Sequence, residues 1–160
     1  MFRKIDYLTG TCINMPERDC IFCRIVANEI PSYEVYSDPN VKAFLDINPI
    51  AEGHVIVVPK EHFQGVSDAD PELFLNVMDA ARRISVAMVK SSFAEGTNIF
   101  IANGSVADQT VFHLHVHVLP RRNGDDINWN QWWQSKVKHV SEGVMSQIRQ
   151  TLVEIEGENL

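Results

Sequence analysis

The sequence predicts an α+β domain in which an antiparallel sheet is covered by one long helix. Short β-branched runs are separated by clusters of turn-forming residues, a single helical stripe occupies the middle of the chain, and most connections are short. With 160 residues, the chain can form one domain with its own hydrophobic core.

Five runs are predicted to form strands: residues 33–36, 41–45, 54–58, 98–102 and 112–119. The first two are separated by a Ser-Asp-Pro-Asn sequence at residues 37–40, which favours a turn. The third is β-branched and ends at Pro59, as expected of a buried strand.

The long helix is predicted to begin after Asp70, which can cap it, with Pro71 at the first helical position and Glu72 in the first turn. Apolar residues recur on one helical face at Leu73, Val77, Ala81, Ile84 and Met88. The sequence from Ser91 to Gly96 ends the helix.

Composition excludes several classes of protein. The chain carries 21 acidic and 14 basic residues, a formal charge of −7, which argues against general nucleic-acid binding but allows a nucleotide in a local pocket. No apolar run approaches the roughly 20 residues needed to span a bilayer, and the first residues lack the apolar core of a signal peptide. Three cysteines, an odd number, favour the reducing cytoplasm over a disulfide scaffold.

The run at 112–119 places His113, His115 and His117 on alternate positions. In a strand they would share one face, opposite an apolar face that consists of Phe112, Leu114, Val116 and Val118. Imidazole can act as nucleophile, general acid or metal ligand near neutral pH. The pattern favours a functional site over a set of buried structural histidines.

Strand geometry predicts that the three histidines do not all act on the same group. At about 3.3 Å per residue, His113 and His117 would lie about 13 Å apart, too far to bind one metal ion together. His115 and His117, about 7 Å apart in such a strand, could flank one phosphoryl group. His113 is left to face another group, and the Cys-x-x-Cys spacing of Cys20 and Cys23 is typical of a zinc site.

The segment from His113 to Leu119 resembles the His-φ-His-φ-His-φ-φ signature of the histidine triad (HIT) superfamily. Blocks at 20–25, 43–49 and 53–62 resemble other family blocks in the same order. The resemblance predicts a HIT domain at residues 20–122, an N-terminal extension at 1–19 and a Trp-rich helical extension at 123–160.

The resemblance implies a HIT-like antiparallel sheet with one long helix, usually in a homodimer. It also implies a purine nucleotide substrate and cleavage of a substituted nucleotide phosphate through a nucleotidyl-histidine intermediate. Dinucleoside polyphosphates and nucleoside phosphoramidates are such substrates. The sequence allows either water or phosphate as the acceptor, and either adenine or guanine. The alternative is a nucleotide-binding interaction protein with incidental hydrolysis, but the intact His115 favours an enzyme.

By the same resemblance, His115 is the nucleophile and His117 donates hydrogen bonds to phosphate or bridging oxygens. Asp46 would accept from the ribose hydroxyls, and His54 would lie behind the catalytic histidines. The remaining nucleotide and phosphate contacts would be Phe22, Phe44, Ile47, Asn48, Asn103, Gln109 and Thr110. Asp108 stands where the family commonly has glycine, and its carboxylate could change the leaving-group preference.

The zinc-bearing branch of the superfamily implies a ligand set of Cys20, Cys23, His62 and His113. Such a Cys₂His₂ set would be closed, and its zinc ion therefore structural. The alternative is a pair of small buried cysteines without metal.

The C-terminal extension contains two further features. Three tryptophans, Trp129, Trp132 and Trp133, fall within five residues, and they favour packing over a ligand-binding role. An apolar stripe of Val144, Ile148, Leu152 and Ile155 predicts an amphipathic helix.

Overall fold

The computed structural model describes residues 19–136 and 141–157. Its elements, in chain order, are α1 (Ile21–Val26), β1 (Glu34–Ser37), β2 (Val41–Leu45), β3 (Val55–Pro59), α2 (Pro71–Lys90), β4 (Gly96–Phe100), β5 (Val116–Arg121), α3 (Trp129–Lys136) and α4 (Glu142–Gly157). A short 3₁₀ turn spans Ser105–Ala107. Most of the predicted N-terminal extension, residues 1–18, lies outside the described residues.

The five strands form one sheet in the order β1-β2-β3-β5-β4, and every neighbouring pair is antiparallel. Helix α2 packs against the sheet, and α3 and α4 follow in the C-terminal part. The predicted α+β fold, with its antiparallel sheet, long helix and C-terminal helical extension, is confirmed. Helix α1 was not predicted, because a six-residue helix is too short to show a periodic pattern.

Helix α2 begins where the sequence places it. The Asp70 side chain accepts hydrogen bonds from the backbone N–H groups of Glu72 and Leu73, and Pro71 occupies the first helical position. Such a cap stabilises a helix by about 1 kcal/mol. The helix then buries Val77, Ala80, Ala81, Ile84 and Met88.

Both faces of the central strands are buried. Along β3, Val55 and Val57 pack in the cluster that includes the buried face of α2, whereas Ile56 and Val58 pack in a second cluster with α1. All five residues of β3 are therefore buried, which explains why this strand is apolar throughout rather than alternating. The second cluster brings α1, and with it the two cysteines, to the face of the sheet that carries the histidines.

The predicted histidine strand is wrong in its first half. The structure begins β5 only at Val116, so His113 and His115 belong to the preceding segment, and Phe112 is 40% exposed instead of lying on an apolar face. Pairing between β3 and β5 starts at Val57 opposite Val116, close to the end of β3 at Pro59. Beyond that point the Pro59 carbonyl accepts from the His113 side chain and replaces the ladder hydrogen bonds.

The chain divides into two compact units, one ending at Gly124 and the other beginning at Asp125. In the second unit the ring of Trp132 makes edge-on contacts with Trp129 and Trp133. On α4 the side chains of Val144, Ile148 and Leu152 are about half exposed. That this apolar stripe covers another surface stays a prediction. Among the described residues, no helix combines the length and apolarity needed to cross a bilayer.

Candidate active site and metal centre

His115 is held in the form that a nucleophile requires. It precedes β5 and is buried, and its Nδ1 lies 2.7 Å from the carbonyl oxygen of His113. A carbonyl can only accept, so Nδ1 carries the proton and donates it, and Nε2 keeps its lone pair. Burial lowers the pKa of His115 below its ordinary value, although the bond to the His113 carbonyl opposes this effect. The ring is therefore neutral near pH 7.

His117, on β5, lies beside it. The two ring centroids are 4.9 Å apart, closer than the about 7 Å expected for alternate residues of a regular strand. Phe100 of β4 stacks on the His117 ring, with centroids 4.5 Å apart and the ring planes at 15°. Burial, with smaller contributions from His115 and His54, lowers the pKa of His117 to about 4. Both histidines are thus neutral at neutral pH.

Behind His117 lies a row of polar side chains, His54 and then Asp46. The buried His54 places Nε2 2.9 Å from Nδ1 of His117, and its Nδ1 is 3.4 Å from Oδ2 of Asp46. The same Nδ1 is 3.4 Å from the backbone nitrogen of Ile50, which donates to it. Burial lowers the pKa of His54, although the Asp46 charge opposes this. Asp46 in turn accepts from the backbone N–H of Asn48 through Oδ1, at 2.9 Å.

In the structure, the Gln109 side chain is hydrogen-bonded to backbone groups of its own loop and of the segment at Gln64. Its amide nitrogen donates to the carbonyls of Gln64, at 2.6 Å, and Val111, at 3.0 Å, and its Oε1 accepts from the backbone of Gly104 at 2.7 Å. The side chain is buried. Gln109 therefore holds together the segments that enter the site, in addition to any ligand contact that the resemblance implies.

The other implied phosphate contacts lie on the same loops. Asn103 is exposed, and its side-chain oxygen accepts from the backbone N–H of Val66 at 2.9 Å. Thr110 is exposed and follows the buried Gln109 directly. Asp108 has a φ of +63°, the left-handed conformation that favours glycine and that aspartate tolerates better than most residues. This explains how aspartate can replace the glycine of the family pattern.

The three residues proposed as walls for the base are in different environments. Phe22 and Phe44 are buried in the cluster between α1 and the sheet, and their rings meet edge to face at 5.7 Å. Phe22 also contacts the His115 ring edge-on at 5.2 Å. Ile47 is 79% exposed. Phe22 and Phe44 are thus core residues, and Phe22 also contacts the histidine site.

Four further side chains converge on a second point. Donor atoms of Cys20, Cys23, His62 and His113 all lie within 4.8 Å of one another. Nδ1 of His113 is 3.4 Å from Sγ of Cys20 and 3.5 Å from Sγ of Cys23, and Nδ1 of His62 is 3.2 Å from Sγ of Cys23. The structure brings together all four ligands that the sequence predicted.

The chemistry of these donors fits a zinc ion. Nε2 of His113 donates to the Pro59 carbonyl at 2.9 Å, so the unprotonated Nδ1 is the nitrogen that faces the two sulfurs. Burial opposes ionisation of Cys20, but the nearby His113 and His62 side chains outweigh it and lower the thiol pKa to about 5. Two sulfurs and two imidazoles form a closed tetrahedral set.

Three contacts of the site were not predicted from the sequence. They are the stacking of Phe100 on His117, the Pro59 carbonyl under His113 and the Ile50 backbone beside His54. Phe100 pairs with His117 across β4 and β5, so only the register of the sheet could have shown it. The other two involve backbone atoms, for which side-chain patterns carry no signal.

Comparison with known proteins decides the family. The HIT domain family matches residues 27–124. The chain belongs to the HIT family. It is 44% identical to a HIT-like protein of Borreliella burgdorferi over 115 residues, which cover 71% of this chain and 83% of the relative.

Two relatives have names that state an activity. The chain is 38% identical to an adenosine 5′-monophosphoramidase of Saccharomyces cerevisiae over 120 residues, 73% of each protein. It is 33% identical to an adenylylsulfatase of Arabidopsis thaliana over 109 residues, 68% of this chain and 55% of the relative.

Solved structures show the same HIT fold. A zinc-bound histidine triad protein of Mycobacterium smegmatis aligns with a TM-score of 0.68 at 34% identity, over 90% of this chain and all of that one. A protein of Streptococcus mutans aligns with a TM-score of 0.74 at 33% identity, over 99% of each chain.

Proposed function

We propose that this HIT protein is a nucleotidyl hydrolase or transferase that cleaves a substituted purine nucleotide phosphate through a nucleotidyl-histidine intermediate. The observation that carries the proposal is His115, whose Nδ1 is fixed on the His113 carbonyl so that Nε2 is the nucleophilic nitrogen. The names of the yeast and plant relatives support phosphoramidate and phosphosulfate substrates as a class. Dinucleoside polyphosphates belong to the same chemistry.

In the first step, Nε2 of His115 attacks the α-phosphorus. A nitrogen–phosphorus bond forms, and the leaving group departs with the electron pair of its own bond to phosphorus. The ring gains positive charge, which the 2.7 Å bond from Nδ1–H to the His113 carbonyl stabilises. In the second step, water or phosphate attacks the phosphorus, and the nitrogen–phosphorus bond breaks with its electron pair returning to Nε2, which restores neutral His115. When water is the acceptor, it releases one proton to the solvent.

The neighbouring residues bind the nucleotide around that centre. His117, neutral at pH 7, donates to the phosphate or bridging oxygen, and Asp46 accepts from the ribose hydroxyls. Asn48, Asn103 and Thr110 are exposed on loops near these groups and supply polar contacts to the phosphates. Hydrogen-bond donors that are already oriented stabilise the charge that develops on phosphate oxygens.

We also propose a structural Zn²⁺ bound by Cys20, Cys23, His62 and His113. The convergence of their donor atoms supports it, as does the zinc-bound relative from Mycobacterium smegmatis. When bound, the ion would crosslink α1 to the segments that carry the two histidines. It would take no part in the bond-breaking steps.

The family resemblance supports a homodimer as a further proposal, and the odd number of cysteines supports a cytoplasmic location. Exposed apolar side chains on α2, at Leu75, Val86 and Val89, supply surface that a second subunit could cover.

Turnover of a fluorogenic AMP phosphoramidate tests the proposed function. His115→Ala should lower kcat by about three orders of magnitude or more, while AMP still binds, because the variant loses the nucleophile and keeps the surrounding donors. Rapid quench with a substrate labelled in the α-phosphate should show label on the protein before product appears. Near-normal turnover by the alanine variant would exclude the mechanism. Tight AMP binding without turnover by the native protein would instead support the interaction-protein alternative.

A further inference from the structure

Phe100 packs face to face on the ring of His117 in the proposed active site. The two ring centroids are 4.5 Å apart and the ring planes differ by 15°. Phe100 is the last residue of β4, and the antiparallel register places it directly opposite His117 on β5. Side chains in directly opposite positions share one face of a sheet, with Cβ atoms about 5 Å apart. The backbone pairing itself therefore brings these two rings together.

The ring of His117 needs contacts with its neighbours to keep one orientation. The torsion that turns a histidine ring about its Cβ–Cγ bond is broad and roughly twofold, so the strand backbone does not fix the direction of the ring nitrogens. The 2.9 Å hydrogen bond between Nδ1 of His117 and Nε2 of His54 distinguishes one ring flip from the other. One hydrogen bond restrains only one atom, however, and it still allows the plane of the ring to tilt.

The stack on Phe100 supplies a restraint on that plane. A parallel ring at 4.5 Å resists tilting of the His117 ring, because a tilt drives one ring edge into the neighbouring ring. The rings of His54 and His115 meet His117 at 37° and 73°, so neither is parallel to it. Of these three aromatic neighbours, Phe100 is therefore the one that holds the plane in which Nε2 of His117 lies.

We propose that Phe100 is a positioning residue, which holds the plane of the His117 ring so that Nε2 is directed at the phosphate during the chemical step. The inference rests on the proposed function, in which His117 donates to a phosphate or bridging oxygen. Nδ1 is hydrogen-bonded to His54, so Nε2 is the nitrogen that remains for the substrate. Donors that are oriented before the reaction stabilise developing charge, and a displacement of about 1 Å can cost roughly a hundredfold in rate.

Phe100 also covers one face of the His117 ring and keeps water from it. Burial is the largest cause of the lowered pKa of His117, which is about 4. The neighbouring His115 and His54 lower this pKa further, and Asp46 raises it. These three groups stay in place when Phe100 is replaced by a smaller apolar residue. A rise in the pKa of His117 in such a variant therefore reports the loss of the stacked ring.

Turnover of the fluorogenic AMP phosphoramidate by Phe100→Leu tests the proposal. Leucine is apolar but cannot form a flat stack, so kcat should fall about tenfold or more while KM changes by less than about twofold. Phe100→Tyr keeps the ring and should recover most of the lost kcat. In a His117→Ala background, Phe100→Leu should lower kcat no further, because the ring that Phe100 holds is gone.

Phe74→Leu is the matched control, since Phe74 is partly buried like Phe100 but lies on α2. Helix α2 packs with Val55 and Val57 on one face of the sheet, whereas His117 pairs with Ile56, which belongs to the other face. Loss of this ring should leave kcat unchanged. An equal fall of kcat in the Phe74 and Phe100 variants would show a general loosening of the domain and would overturn the positioning role.

Spectra of the protein labelled with ¹⁵N-histidine, recorded between about pH 5 and pH 8, supply a readout that needs no turnover. His117 should not titrate in this range in the native protein. It should titrate in Phe100→Leu, because exposure of the ring moves its pKa from about 4 towards the ordinary value of 6.5. Phe74→Leu should resemble the native protein.

The outcomes separate the role of Phe100 from the proposed function. An unchanged kcat in Phe100→Leu, or a full further loss in the His117→Ala background, would overturn the role of Phe100 and leave the proposed function standing. If the native protein does not turn over the substrate, the proposed function is wrong, and the spectra alone decide. In that case, a His117 ring that still does not titrate in Phe100→Leu would overturn the inference.

Discussion

Two clusters of possible metal ligands lie on either side of His115, and they differ in where their histidine nitrogens point. In the cluster of Cys20, Cys23, His62 and His113, one nitrogen of His113 is bonded to a backbone carbonyl and the other faces the sulfurs. In the cluster of Asp46, His54 and His117, the donor atoms are equally close, but the two histidines are hydrogen-bonded to each other.

The comparison shows that proximity alone does not make a metal site. A separation of 2.9 Å between Nε2 of His54 and Nδ1 of His117 is that of a hydrogen bond with one shared proton. A metal ion needs lone pairs from every ligand at one point, which the cysteine cluster offers and the aspartate cluster does not. Of the two, the first is suited to bind a metal ion, and the second to orient His117 through its hydrogen bond with His54.

The largest expected effect comes from removing a ligand of the proposed zinc ion, which tests the cysteine cluster. Cys23→Ser should lower the zinc content of the protein well below one per chain and reduce stability by several kcal/mol, about 10 °C or more in Tm, because structural zinc contributes directly to folding. Elemental analysis and thermal unfolding, on protein purified without metal chromatography, measure both.

Cys12→Ser is the matched control, since Cys12 is not one of the four proposed ligands and lies outside the described residues. It should leave zinc content and Tm unchanged. Zinc-free native protein that keeps its full Tm in chelator would contradict the metal centre.

A smaller effect on stability is expected at the second cluster when the pH is lowered. His117 has a pKa of about 4 in the folded protein, below its ordinary value of 6.5, so the unfolded chain takes up this proton first as the pH falls. Stability should therefore decrease between pH 6.5 and pH 4, by at most about 3 kcal/mol from this residue. His54, whose pKa is also lowered, contributes with the same sign.

Chemical denaturation across that pH range checks the prediction. His117→Gln removes the titrating group, so its stability should depend less on pH than that of the native protein. Because Cys20 also has a lowered pKa, the useful quantity is the difference between the two proteins and not the slope of either. Equal slopes would show that His117 is not buried as described.

The loop that leads into both clusters depends on Gln109. Gln109→Leu keeps the size of the side chain but leaves the carbonyls of Gln64 and Val111 and the N–H of Gly104 without this partner. Unpaired buried polar groups cost about 1–3 kcal/mol, so a loss of about 2 kcal/mol is expected. The exposed neighbour Thr110 supplies the control, because Thr110→Val should change stability by less than about 0.5 kcal/mol. Equal effects of the two substitutions would show that Gln109 does not hold the loop.

Part of the fold and part of the candidate site could be predicted from the sequence alone. The start of α2 and the turns between strands were predicted because their signals are local: Asp70 caps the residues that follow it, and Asp38 accepts from the N–H groups of Asn40 and Val41. The four proposed metal ligands, which the structure brings together, could also be named from the sequence, because residue type, spacing and family resemblance all point to them.

What the sequence missed depends on distant parts of the chain. The run at residues 112–119 alternates like a strand, but the Pro59 carbonyl, 54 residues away from His113, takes the imidazole as its partner and the ladder does not form there. Gln109 carried a family role as a ligand contact, yet its three bonds to backbone groups are visible only in three dimensions. No periodic pattern encodes contacts of this kind.

The smallest expected effect concerns Asp108, which separates the 3₁₀ turn from Gln109. Its φ of +63° costs a non-glycine residue energy that glycine avoids. Asp108→Gly should therefore change stability by no more than about 1 kcal/mol, in the stabilising direction, since relief of the backbone conformation outweighs the greater freedom of glycine in the unfolded chain. Asp108→Ala is the matched control: alanine has the Cβ but not the polar side chain that helps aspartate adopt this conformation, so it should destabilise the protein. Urea unfolding of both variants measures the two signs. A glycine variant less stable than the native protein would contradict the prediction and show that the Asp108 side chain makes contacts worth more than the strain.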